Sequence, residues 1–297
     1  HIGDNEEDVS ESKRKRPRKS EKEASAKKDQ PNGLAIMMQL RKVANHPLLI
    51  RTLYDDKNIR EMAAILQKDP SYQEENLNYI IEDLEILSDY ELHRLCLGFK
   101  SILRYKLEKN KLLASGKFQK FDEIFPALKK EGHRVLIFSQ FIMMIDLIGD
   151  YLACNGYRFL RLDGSTPVPE RQTLIDEYNR DEDIFAFMLS TRAGGMGINL
   201  TSADTVIIHD LDFNPYNDKQ AEDRCHRVGQ QRDVTIMRFI CKDTIEEGIY
   251  TIAQEKLNLE KEITTSSEGS GDVKDSKNIA WLLKQIMSHD TKTSQAK

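Results

Sequence analysis

Two arginines three residues apart, Arg224 and Arg227, stand in the string Gln220-Ala221-Glu222-Asp223-Arg224-Cys225-His226-Arg227-Val228-Gly229-Gln230. On a helix this spacing turns both guanidinium forks to one side. Planar forks suit a polyphosphate, because each can grip two oxygens and offset the charge that builds up in phosphoryl transfer. For an isolated pair, two surface arginines neutralised by Glu222 and Asp223 would be the better reading. A second segment runs Thr191-Arg192-Ala193-Gly194-Gly195-Met196-Gly197-Ile198-Asn199. Its glycines let the backbone approach a nucleotide or phosphate closely and leave amide donors free, although such a loop alone is weak evidence of either. Asp210 and Asp212 are spaced like paired carboxylates for acid–base work, but Asn214-Pro215 ends any strand that would put them on one face.

What is missing bounds the chemistry further. Gly116-Lys117 is followed by Phe118, so no G-x-x-x-x-G-K-[ST] phosphate loop with a magnesium-binding hydroxyl is present. Asp122-Glu123 and Asp181-Glu182-Asp183 lack the ending of an Asp-Glu-x-His box. The four cysteines, Cys96, Cys154, Cys225 and Cys241, have no paired spacing, which predicts ordinary thiols in a reducing compartment and no metal site. Of the histidines, His46 reads as part of a helix end, His93 and His133 as surface or turn residues, and His209 as a core histidine.

The 297 residues are 39% hydrophobic and 31% charged, enough for a real core under a charged exterior. A net charge of −5 argues against coating DNA by bulk electrostatics, so any nucleic-acid contact must come from a local strip. No apolar run approaches the ~20 residues of a bilayer span and no secretory signal is visible, so a soluble intracellular protein without a membrane partner is expected. The start at His1 suggests a piece of a longer chain.

Positioning these residues requires a scaffold, and its elements are legible. Residues 1–33 are polar and dense in both charges, which predicts a disordered linker. Within them, Lys13-Arg14-Lys15-Arg16-Pro17-Arg18-Lys19 is open to three readings: nuclear import, phosphate binding or a solvated charge run. Leu34, Met37, Met38, Leu40, Val43 and Ala44 recur at helical spacing up to His46-Pro47. Residues 34–112 read as an all-helical region, with Leu77, Ile80, Ile81, Leu84 and Leu87 on one face. Apolar runs at 135–139, 159–162, 184–190, 206–209 and 234–240 alternate with helical stretches, the pattern of a parallel sheet sandwiched by helices over 113–243. Ligands in such sheets bind beyond the carboxyl ends of the strands. Ser139-Gln140, Asp163-Gly164-Ser165-Thr166, Thr191–Gly195 and Asp210–Asn217 all follow a run. A long amphipathic helix is expected over 244–263, then a Ser/Gly/Asp-rich linker over 264–277. A short helix with the single tryptophan, Trp281, and a tail over 278–297 complete the chain.

The Gln220–Gln230 string closely resembles the sixth helicase motif of the SWI/SNF-type ATPases. Ser190–Leu200 resembles the fifth motif of that family, Val135–Phe141 the fourth, and Arg161–Thr166 the adjoining segment that touches the DNA backbone. Asp210–Pro215 looks like the connector between the fifth and sixth motifs, and Leu40–Pro47 like the helix-end signature linking two motor lobes. These strings run in family order from residue 40 to about 263. Ala44, the insert around Ile86–Leu92 and the Ile279–Leu283 helix are most similar to the SMARCAD-type remodellers.

The resemblance implies a RecA-like second helicase lobe with a helical insertion before it and a helical brace after it. It implies that ATP binds between a first lobe in the same protein and this one, with magnesium held by the first lobe. Arg224 and Arg227 would reach the phosphates, and Gln220 would position the nucleotide side. Gly195, Gly197 and Asn199 would lie near the sugar or the interlobe surface. Ser139, Gln140, Arg161, Ser165, Thr166, Thr191 and Arg192 would grip one DNA strand. Duplex DNA and nucleosomal histones would be the partners and the nucleus the location, and the chain alone would be inactive. The alternatives are a non-catalytic chromatin or DNA interaction module and an RNA helicase lobe. Oligomeric state and the product of remodelling leave no trace in the sequence.

Overall fold

The structure is a computed structural model that describes residues 33–191, 193, 199–225 and 229–265, with side chains up to 258. The expected charged linker through residue 32, the linker beyond 265 and the terminal helix with Trp281 lie outside the described residues.

Helix α1 spans Gly33–Asn45 and stops where the sequence requires, before His46-Pro47. A short 3-10 turn, Pro47–Leu49, follows, and the His46 side chain caps it by accepting from the Leu48 amide at 3.1 Å. The buried face of α1 is Met37, Arg41 and Asn45, whereas Leu34 and Val43 of the expected apolar face are exposed. Helical periodicity thus located the helix but misjudged its inner side, because two polar residues find buried partners there.

Helices α2 (Asp56–Leu66), α3 (Leu77–Glu85) and α4 (Asp89–Gly98) pack around their own small core, which includes Ile59, Met62, Ile80, Leu84, Leu92 and Cys96. Capping boxes at Asp55/Asn58 and Ser88/Glu91 fix the starts of α2 and α4. The Asp89 carboxylate accepts the backbone amides of Thr52, Leu53 and Tyr54, and the Tyr90 hydroxyl reaches Asp150 at 2.8 Å. These two neighbours dock the helical insert onto the rest of the chain. His93, expected at the surface, is buried in α4 and accepts the Leu107 amide at 3.0 Å. A short helix, α5 (Lys109–Leu112), and then α6 (Gly116–Lys130) lead into the sheet.

The sheet contains β1 (Val135–Ser139), β2 (Phe159–Leu162), β3 (Ala186–Ser190), β4 (Thr205–Ile208) and β5 (Thr235–Arg238) in the order β2-β3-β1-β4-β5, every pair parallel. Each strand coincides with one of the five apolar runs, β4 starting one residue before its run at Thr205. The residues of β3, β1 and β4 are all buried, whereas β2 and β5, at the edges, are partly exposed. Burial on both faces explains why the central strands read as continuous apolar runs. Strands β3 and β5 are shorter than their runs, 184–190 and 234–240.

Between the strands lie α7 (Ile142–Cys154), α8 (Val168–Arg180) and α9 (Pro215–Glu222), and α10 (Ile245–Thr265) follows β5. One face of the sheet is covered by α1, α8, α9 and α10, the other by α6 and α7. Because α7 and α9 cover opposite faces, the loops after the adjacent strands β1 and β4 diverge. A crevice opens at such a switch point, at the carboxyl ends of the strands. No helix among the described residues is long and apolar enough to cross a membrane.

Candidate functional site

The crevice is organised by Asp210. Its carboxylate accepts the Ser139 hydroxyl and the Gln140 backbone amide at 3.0 Å, so the end of β4 holds the turn after β1. Burial pushes the Asp210 carboxyl up, while the hydrogen bonds from Ser139 and Gln140 and the charges of Lys117 and Arg41 oppose that shift. Ser139 is fully buried and its hydroxyl is committed, so its side chain positions the turn and offers no face to solvent. Gln140 is half-buried, and its Nε2 donor is shielded from solvent with no acceptor among the described residues. Asp210 and Asp212 do not act as a pair. Asp212 accepts the Asn214 amide at 2.9 Å, and the buried Asp218 accepts the Asp212 amide. Burial first, then the charges of Asp212, Asp210 and Glu222, push the Asp218 carboxyl up to about 7.

Beside this crevice the carboxyl ends of β3 and β2 continue the row. The Thr191 amide donates to the Ser139 carbonyl at 3.2 Å, which sets Thr191 next to the β1 turn. Asp163 accepts both the amide and the hydroxyl of Ser165, and its own amide donates to the Thr166 hydroxyl, so one residue fixes the whole Asp-Gly-Ser-Thr turn. Burial would raise the Asp163 carboxyl, but hydrogen bonds from Ser165 and Arg161 hold it below the usual range. Ser165 is exposed and Thr166 half-exposed. Arg161 is already bound by Asp146 and by Asp163 at 2.6 Å, so its charge is spent within the protein. Arg192 lies outside the described residues.

On the opposite side of the crevice, α9 ends at Glu222 and Arg224 sits in the following turn. Arg224 therefore lies beyond the helix on which its spacing to Arg227 would have set both side chains. Asn214 caps the start of α9 ahead of Pro215, and the helix runs out after eight residues. Arg224 is 4% exposed, packed inward rather than projecting. Its carbonyl accepts the Leu200 amide at 3.4 Å, and the Gln230 side chain donates to the Ala203 carbonyl at 2.8 Å and the Cys225 carbonyl at 3.3 Å. These bonds bring the 199–203 segment against 224–225. Asn199 and Gln220 are exposed. Gly195, Gly197 and Arg227 lie outside the described residues.

Several residues of this architecture had no role in the sequence reading. Gln230 was visible only as the end of a string. Lys117, noted there for the phosphate loop it fails to make, is 3% exposed and donates to Asn45 Oδ1 (2.8 Å), the His209 carbonyl (2.5 Å) and Glu246 Oε1 (2.6 Å). His46 is fully buried; its Nδ1 accepts from Leu48, so Nε2 carries the proton that goes to the Leu112 carbonyl at 3.1 Å. Burial drives its pKa down to about 4, against the hydrogen bond to Leu112.

The folded state thus holds His46 neutral at pH values where an unfolded chain protonates it. Its contribution is fully present above pH 6.5 and is lost as the pH falls towards 4, by roughly 3 kcal/mol in the limit. Thermal melting between pH 7 and 4 should show this loss. His46→Gln should melt lower at pH 7 yet fall less steeply on acidification; an unchanged slope would rule His46 out as its source.

Among the described residues, the groups left at this place are the Gln140 side-chain amide and the side chains of Thr191, Ser165 and Thr166, beside the carboxylates of Asp210, Asp212 and Asp218. No group of three His, Cys, Asp or Glu that could hold a metal ion occurs among the described residues. The fold and its loops are those of a C-terminal helicase lobe. The family described as the helicase conserved C-terminal domain matches residues 116–229. The C-terminal part of the Fun30 ATPase domain, seen in a crystal structure, is 42% identical, with a TM-score of 0.76 over 86% of this chain and 81% of that one. The chain belongs to the SWI/SNF-type helicase-like ATPases, as their C-terminal helicase lobe. It is 53% identical over 234 residues to the "SWI/SNF-related matrix-associated actin-dependent regulator of chromatin subfamily A containing DEAD/H box 1" of Xenopus tropicalis, covering 79% of this chain and 23% of that protein. Its Drosophila melanogaster homolog is 50% identical over 258 residues, covering 87% of this chain and 30% of that protein. The chain thus spans less than a third of the length of these relatives.

Proposed function

We propose that the chain is the second motor lobe of an ATP-driven duplex-DNA translocase that remodels nucleosomes in the nucleus. In this reading 34–112 is the interlobe and insert region, 113–243 the motor lobe, 244–263 a brace, 264–277 a linker and 278–297 a short helix and tail, with 1–33 a charged linker. The basic block at 13–19 would serve nuclear import. The relatives' names, which describe regulators of chromatin, support the substrate class.

The observation that carries the reading is the row at the carboxyl ends of the neighbouring strands β2, β3 and β1, where Ser165, Thr166, Thr191 and Gln140 stand in the turns that follow. Hydroxyl and amide donors in such a row suit the phosphates of one strand of a duplex. Ser139 and Arg161 support the row from beneath by holding its turns, and Arg192 is assigned to the same DNA strand from its place in the sequence alone.

Across the crevice, Arg224 and Arg227 serve the ATP phosphates once the first lobe closes, and Gln220, Asn199, Gly195 and Gly197 border the nucleotide. ATP supplies the free energy, and the first lobe contributes the phosphate loop and the magnesium ligands. The chain alone then turns over no ATP. Turnover by the full-length protein, measured in parallel with duplex DNA, nucleosomes and RNA, tests the assignment. Duplex DNA and nucleosomes should stimulate strongly and RNA weakly. Equal stimulation by RNA would point to an RNA helicase, and absence of turnover to a non-catalytic module.

A further inference from the structure

Arg41 is the residue of α1 whose burial neither composition nor periodicity anticipates. Its guanidinium lies between two aromatic rings, 5.2 Å from the centroid of Phe141 and 5.2 Å from that of Phe213. One of its nitrogens donates to the Leu211 carbonyl at 2.8 Å. Phe141 opens the segment after β1, immediately beyond Gln140, while Leu211 and Phe213 belong to the loop after β4. One side chain from a helix outside the sheet therefore clamps the two loops that diverge at the switch point.

The clamp is continuous with the Asp210 bonds. Asp210 joins the same two loops by accepting from Ser139 and Gln140, and it precedes Leu211. Asn45, one turn further along α1, donates to the Arg41 carbonyl at 3.1 Å and accepts from Lys117, which fixes the end of the helix. A planar cation shared between two ring faces is a specific arrangement: lysine keeps its charge but loses the flat stack and the fork, and methionine keeps only its bulk.

We infer that Arg41 is a positioning residue for DNA engagement, acting through Phe141, Phe213 and Leu211 to set the Gln140 turn against the loop after β4. This deepens the motor reading and rests on it for its functional consequence. By the same geometry, α1 transmits its own displacement to both loops, so movement of the segment entering the lobe moves the row that meets the phosphates.

Two measurements on the full-length protein test the inference. Hydrogen exchange in Arg41→Met should be about tenfold faster in peptides covering 137–143 and 209–215 and unchanged in the edge strand β5. The DNA concentration giving half-maximal ATPase should rise about tenfold in Arg41→Met, with the KM for ATP unchanged and partial recovery in Arg41→Lys. If Arg41→Met folds poorly, Phe141→Leu and Phe213→Leu remove one ring face each and should give smaller shifts in the same direction. Wild-type exchange and DNA dependence in Arg41→Met would overturn the inference, as would equal losses of DNA and ATP affinity that track melting temperature. Loss of DNA stimulation in the wild type would instead fault the motor reading, and the exchange result would still decide whether Arg41 holds the two loops.

Discussion

Arg224→Ala in the full-length protein lowers DNA-stimulated ATP turnover by about 10³-fold or more, the scale on which an arginine that meets transferring phosphates acts. Arg224→Lys retains a positive charge but not the planar fork, and should recover only a small part of the loss. Because the side chain is inward-packed, the alanine variant also loses buried contacts, so melting temperature and DNA affinity must be measured beside turnover. A motor role requires turnover to collapse in both variants while the lysine variant keeps most of its stability and binds duplex DNA normally. Near-normal turnover in either, at saturating ATP and DNA, would remove Arg224 from the site. The hydrogen bond from Leu200 to the Arg224 carbonyl makes a second-order effect on the neighbouring 199–203 segment expected as well.

The second large effect is on stability. Lys117 and Glu246 form an ion pair at 2.6 Å with both side chains almost wholly buried. All three ammonium donors are used, on Asn45 at the end of α1, His209 after β4 and Glu246 at the start of α10. Glu246 spends its other oxygen on the Cys241 amide at 2.8 Å. Lys117→Met removes the counter-charge and leaves a carboxylate in a dry site, at a cost of about 3–5 kcal/mol. For a chain of this size that is a fall of roughly 10 °C in melting temperature. Lys117→Met combined with Glu246→Leu should recover much of the loss, because no charge is then stranded, although Asn45 and His209 still lack their donor. Additive losses in the double variant would show that the pair is not coupled.

The sequence was sufficient for the sheet and for the order of its loops. Strands buried on both faces must be apolar throughout, and the polar residues that follow each run must lie at its carboxyl end, which places Ser139-Gln140, Ser165-Thr166 and Thr191 from pattern alone. What the sequence misassigned were polar residues whose partners are distant in the chain. The resemblance implies that Arg161 and Ser139 grip a DNA strand, but Asp146 of α7 binds the Arg161 side chain and Asp210 takes the Ser139 hydroxyl.

Nothing in the sequence marked Arg41, Lys117 and Glu246 as buried, since a charged residue in a helical pattern is ordinarily solvated. Their burial depends on partners that lie 170 residues away for Arg41 and 129 for Lys117. Local composition and spacing thus determined which elements form and which loops lie at the carboxyl ends of the strands. Only the tertiary structure decided which charges are spent inside the lobe and which stay exposed, because hydrogen-bond satisfaction is set by proximity in space.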